Sequence, residues 1–198
     1  MDISLIGANI VILAKNHNPS IVSKEWLSQK GIIEDEIVSF THTPAFSVVE
    51  SENFSFFADP DRIQLNAKID ISNKVDLLPQ MILSYVDALP ETPYTSIGFN
   101  FVYNVKMGKS TLENIYGHNI EKLESLFHKD YQLGGIIKYK FNEMIVRLIL
   151  EPDTSDEMKA DFNFHCQLDD TKQISNIIKK HCDAMKESEN ILEGLISE

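Results

Sequence analysis

The chain has 198 residues, with 30 acidic against 18 basic side chains and a formal net charge of −12. Its 43% hydrophobic content is enough for a real core, since a domain of this length buries about 70% of its unfolded surface, and global disorder is excluded. The longest apolar runs, Ile10–Leu13 and Ile145–Leu150, fall far short of the ~20 residues of a membrane-spanning helix.

In chain order, Leu5–Ala14 reads as a buried strand, broken by Asn16-His17-Asn18-Pro19. Ile21–Lys30 suits a short helix with Trp26 and Leu27 inward and Gly31 as its stop. Four short strands follow, Glu36–Thr41, Phe46–Ser51, Phe54–Ala58 and Arg62–Ile69, with Asp59-Pro60-Asp61 as a tight turn. Arg62–Ile69 alternates strictly between polar and apolar residues, which marks a sheet packed on one face and open on the other. Asp76–Leu89 is helical: Leu78, Met81, Ile82, Tyr85, Val86 and Leu89 recur at spacings of three and four, and Pro79 sits in the first turn.

After Pro90, Pro93 and Tyr94 the order of elements restarts. Ser96–Met107 is a strand and Ser110–Phe127 a helix with Ser110 as N-cap. Ile136–Phe141, Met144–Leu150 and Asp161–Leu168 are strands, and Thr171–Leu195 is one long helix. The apolar residues of its acidic tail, Ile191, Leu192, Leu195 and Ile196, call for cover by the sheet or by another subunit.

The fold class expected is α+β: a large curved antiparallel sheet with helices on one face. Two strand–helix–strands–helix halves, residues 1–90 and 91–198, are fused into one continuous domain, the second half a strand short unless Gly134-Gly135 supplies a break. That repeated order resembles the TATA-binding-protein-like fold in topology, with no shared motif. The resemblance implies one continuous sheet, helices behind it and an open face in front. An ordinary α+β domain whose elements happen to alternate accounts for the same pattern.

Alternation then assigns the open face. Ile63, Leu65, Ala67 and Ile69 point to the core, leaving Arg62, Gln64, Asn66 and Lys68 outward. In the next half, Ile97, Phe99, Phe101, Tyr103 and Val105 go in, and Gly98, Asn100, Val102 and Asn104 go out. Asn163, His165 and Gln167 are outward, and Lys138, Lys140, Glu143, Ile145 and Arg147 are placed with them. With Arg62, Lys68, Lys138, Lys140 and Arg147 against Glu143, the face carries a formal +4 on a molecule of −12.

An amide-rich, positive face suits a polar partner, and Gln64, Asn66, Lys68, Asn100, Asn104, Lys138, Lys140, Arg147, Asn163 and His165 are the candidate contacts. A protein partner or self-association is the leading expectation. Nucleic acid is the alternative: phosphates and base edges accept such donors, but the acidic chain repels a polyanion and no aromatic pair is placed to stack bases. A small-molecule site between the last helix and the sheet is a third reading, and the solvated side of a half-exposed sheet a fourth.

No catalytic constellation stands out, so a non-enzymatic subunit without cofactor is expected. His165-Cys166 lies on a strand, where alternation sends the two side chains to opposite faces, and neither CxxC nor HExxH occurs to hold a metal. The acidic loop Glu151–Glu157 lacks the spacing and central glycine of a calcium loop. Asn16, His17 and Asn18 are the best local polar cluster, against plain turn formation and helix capping. Met1-Asp2-Ile3-Ser4 opens without a basic region, and two cysteines, Cys166 and Cys182, suit free thiols, so a cytoplasmic protein without membrane contact is expected.

Overall fold

The computed structural model describes residues 2–68, 74–106, 120–127, 132–154 and 157–196. Nine strands form one antiparallel sheet: β1 (Asp2–Ala14), β2 (Ile37–His42), β3 (Ser47–Ser51), β4 (Phe54–Ala58), β5 (Arg62–Ala67), β6 (Tyr94–Lys106), β7 (Gly135–Phe141), β8 (Met144–Pro152) and β9 (Glu157–Gln167). Their spatial order is β2-β3-β4-β5-β1-β6-β9-β8-β7. The two thirteen-residue strands β1 and β6 are therefore the central pair, running antiparallel from Asp2 opposite Lys106 to Ala14 opposite Tyr94. The helices among the described residues are α1 (Lys24–Gln29), α2 (Leu78–Ala88), α3 (Ile120–Phe127), α4 (Ile174–Ile178) and α5 (His181–Ile196).

Local chemistry sets the boundaries. Ser23 caps α1 by accepting from the Trp26 amide at 3.1 Å, and Gly31 follows it with φ +61, a conformation that a side chain would oppose. Asp59 Oδ1 accepts from the Asp61 and Arg62 amides at 2.9 and 2.8 Å, which is the turn expected between β4 and β5. Asn142 (φ 52) turns the β7–β8 hairpin in the left-handed region that asparagine tolerates.

Alternation holds along the inner strands, except that β1 resets at the register shift between Leu5 and Gly7, so that its core-side residues change from Ile3 and Leu5 to the even-numbered positions. Ala8, Ile10, Ile12 and Ala14 of β1, Ile63, Leu65 and Ala67 of β5, and Ile97 through Val105 at every second residue of β6 are buried. Met158, Ala160, Phe162, Phe164 and Cys166 of β9 continue the same side. Onto it pack α2, through Tyr85 against Phe56, and α5, through His181 against Phe99 and Phe101. Leu192 and Ile196 are buried and Ile191 and Leu195 half-buried, so the acidic tail is anchored on the core of the same chain.

Three expectations change. The final helix is not continuous: a 3-10 turn at Thr171–Gln173, then α4, then a break at Lys179–Lys180 precede α5, and the Lys180 amide bonds back to Ile177 in a tightened i→i−3 turn. Asp76–Leu89 opens as a 3-10 turn at Val75–Leu77 before α2, with Pro79 in the first turn of the α-helix. Strand β1 starts at Asp2 because Ile3 and Leu5 pair with Val105 and Tyr103 across the long central ladder. Ile69, Met107 and Ser110 with the start of its predicted helix lie outside the described residues. Among the described residues the second half supplies four strands against five in the first.

Candidate functional site: the open face of the sheet

Register across the sheet assembles one transverse row. Lys138 stands opposite Arg147, Arg147 opposite Asn163, Asn163 opposite Asn100, Asn100 opposite Asn9, and Asn9 opposite Asn66. The row continues through Ser55 and Glu50 to Ser39. At about 4.8 Å per strand it spans about 38 Å. A second row runs beside it, with Lys140, Ile145, His165, Gly98, Val11, Gln64 and Phe57 in successive strands.

The amides of the first row bond to one another. Asn163 Nδ2 donates to Asn100 Oδ1 at 2.6 Å, and Asn100 Nδ2 donates to Asn9 Oδ1 at 2.7 Å. Farther along, Gln64 donates to Asn66 Oδ1 at 2.6 Å and Asn66 donates to Ser55 Oγ at 3.0 Å. These residues are half-buried, so the mutual bonds satisfy polar groups that are partly withdrawn from solvent. Each asparagine still carries spare donor or acceptor capacity toward the front.

Charge divides the face into two ends. Toward β5, Lys68 pairs with Glu50 at 2.7 Å and donates to the Ser51 carbonyl at 2.6 Å, while Arg62 lies 5.0 Å over the Phe57 ring and 3.5 Å from Asp59. Those cations are already engaged. Lys138, Lys140 and Arg147 at the β7–β8 end make no ion pair among the described residues. Beside them stand Ile136, next along β7 from Lys138, and Ile145, opposite Lys140, 59% and 56% exposed.

The structure thus brings Asn66, Asn100, Asn163, Arg147 and Lys138 into one row, with Gln64, His165 and Lys140 in the next. Asn104 is farther down β6 opposite Ser4, and Lys68 is tied to β3. Glu143 is a correction: it pairs with Lys180, which immediately precedes α5, so it is not among the open-face groups. The +4 count also fails, because β9, β8 and the ends of β6 and β1 add Lys159 and Lys106 but also Asp161, Glu151, Glu157 and Asp2 to this face. Asn9 was missed altogether. Its signal is a single amide inside the apolar run Leu5–Ala14, which reads as a buried strand.

The remaining candidates resolve as structure. Asn18 accepts from the Ser20 amide at 3.1 Å and caps a 3-10 turn. His17 is buried, its Nδ1 3.2 Å from the Tyr85 hydroxyl, and burial lowers its pKa against the opposing pull of the Ile12 carbonyl, Asp59 and Asp61. His165 and Cys166 point to opposite faces, the thiol into the core, where burial raises its pKa. Among the described residues no three His, Cys, Asp or Glu side chains converge as a metal site, and no helix is long and apolar enough to cross a membrane.

No protein-family model matches the chain, and no curated protein matches it at a significant level.

Proposed function

We propose that the protein is a non-enzymatic binding subunit that recognises a partner protein through the open face of its sheet. One observation carries the reading: the in-register row Asn66, Asn9, Asn100, Asn163, Arg147 and Lys138, which runs from an amide ladder into cations that make no ion pair among the described residues. Solvent requires no such row, and a rigid sheet fixes its donors and acceptors before contact, which lowers the ordering cost of binding. Interspersed carboxylates, Asp161 and Glu151 among them, break the positive field that a nucleic-acid backbone needs along its length. They suit a protein surface of mixed charge.

The test is affinity co-purification of the tagged chain from its native host at two salt concentrations. Wild type is expected to retain a protein in fixed stoichiometry. Arg147→Glu with Asn163→Ala is expected to lose it, and Lys186→Glu on α5 to keep it. Retention by the face variant, with an unchanged circular dichroism spectrum, overturns the proposal. Nuclease-sensitive retention that collapses with salt transfers the face to nucleic acid instead.

A further inference from the structure

The sheet ends in two edges, and they differ. Strand β2 carries a register shift between Ile37 and Ser39, an irregularity of the kind that blunts an edge. Strand β7 pairs with β8 without interruption from Gly135 opposite Leu150 to Phe141 opposite Met144, and contains no proline. Among the described residues its backbone makes no hydrogen bond outside that pairing. Among the described residues, one side of β7 therefore presents a rank of N–H and C=O groups with no protein partner.

Its side chains differ by face. On the open side stand Ile136, Lys138 and Lys140, backed by Ile149, Arg147 and Ile145 of β8. On the other side, Ile137 is 38% exposed although its cross-strand neighbour Leu148 is fully buried, so the core's cover thins out at the edge strand. Tyr139 and Phe141 follow Ile137 on that side, both half-buried.

We infer that β7 is a docking edge that accepts an extended acidic segment of another protein as a tenth strand. It rests on the reading of the open face as a partner surface, and adds where the main-chain contact is made and what sequence makes it. Main-chain bonds would supply affinity, and alternating pockets the specificity. Residues of the incoming strand that share the open side meet Lys138 and Lys140, with Arg147 one strand behind them, and are acidic. Those on the other side meet Ile137 and Tyr139 and are apolar. A second copy of the chain fits poorly: in the antiparallel register that uses the whole strand, residue 138 falls opposite itself. That sets Lys138 against Lys138, and like charges directly opposite destabilise a ladder.

The probe is a labelled seven-residue peptide of alternating glutamate and valine, with a lysine–valine peptide as control, read by fluorescence anisotropy. The expected result is binding of the glutamate peptide, with slowed amide exchange in β7 and unchanged exchange in β2. Lys138→Glu with Lys140→Glu should weaken it about ten-fold or more and create binding of the lysine peptide. No binding of the glutamate peptide, protection on β2, or indifference to charge reversal overturns the inference, as does dimerisation through β7 in sedimentation. Arg147→Glu with Asn163→Ala, tested for capture of the native partner, separates the two failures: loss of capture with no β7 protection leaves the open-face reading standing and removes only the edge strand.

Discussion

His181 makes a sharp prediction about acid. It is fully buried at the start of α5, with ring centroids 5.2 Å from Phe99 and 5.0 Å from Phe101, and neither ring nitrogen has a hydrogen-bond partner among the described residues. Burial alone lowers its pKa from 6.5 to about 4. The unfolded chain therefore takes up a proton that the folded chain refuses, and stability rises with pH wherever that difference exists. The contribution is complete above pH 6.5 and disappears as pH falls toward about 4. In total it is worth about 3 kcal/mol, of which about 2 kcal/mol is lost between about pH 7.5 and about pH 5. The perturbation is His181→Phe, which keeps a flat ring of similar size and removes the titration. Urea unfolding followed by the single tryptophan, Trp26, and by circular dichroism gives the stability of both proteins at each pH. The buried His17 shifts in the same direction in both and cancels. The wild-type loss should exceed that of the variant by about 2 kcal/mol. Equal losses would mean that His181 is not shielded from water by Phe99 and Phe101, and the packing of α5 on β6 would be wrong.

Other outcomes follow from single contacts. Gly134→Ala would place a Cβ 2.8 Å from the Leu150 carbonyl oxygen and 3.2 Å from Pro152 Cδ, so the start of β7 must move. A stability loss of about 1–3 kcal/mol in urea unfolding is expected. Asn100→Ala removes the bonds to both Asn9 and Asn163 and should cost about 1–2 kcal/mol, whereas Asn104→Ala, which breaks no side-chain bond among the described residues, should cost under about 0.5 kcal/mol. Both cysteines are free, with Cys166 buried and Cys182 half-buried, and burial raises both thiol pKa values. A thiol reagent should modify Cys182 first, faster as pH rises, and reach Cys166 only on unfolding.

Where a strand has one wet face, its sequence declared it. Arg62–Ala67 and Ile97–Val105 alternate, and the parity read from them placed Gln64, Asn66, Asn100 and Asn104 on the side where the structure has them. Strand β1 escaped because Val11 and Leu13 on its open side are as apolar as Ile10 and Ile12 on its core side, which hid Asn9. The hairpin end escaped for another reason. Glu143 sits in a two-residue turn, where alternation has no meaning, and its direction is set by Lys180 far along the chain. The break before α5 left no proline or glycine in the sequence to announce it. It is visible only in the tightened turn at Lys180 and in the burial of a histidine that helical periodicity alone would treat as neutral. Register was the part no local pattern contains: alignment of four asparagines from four strands follows from pairings up to ninety-one residues apart.

A photo-crosslinking residue placed at His165, in the middle of the open face, and in a second protein at Lys186 on α5, asks most directly which side of the sheet meets the partner. Crosslinks to one protein species from position 165 and none from position 186 are expected. The reverse pattern would contradict the assignment of the open face as the binding surface.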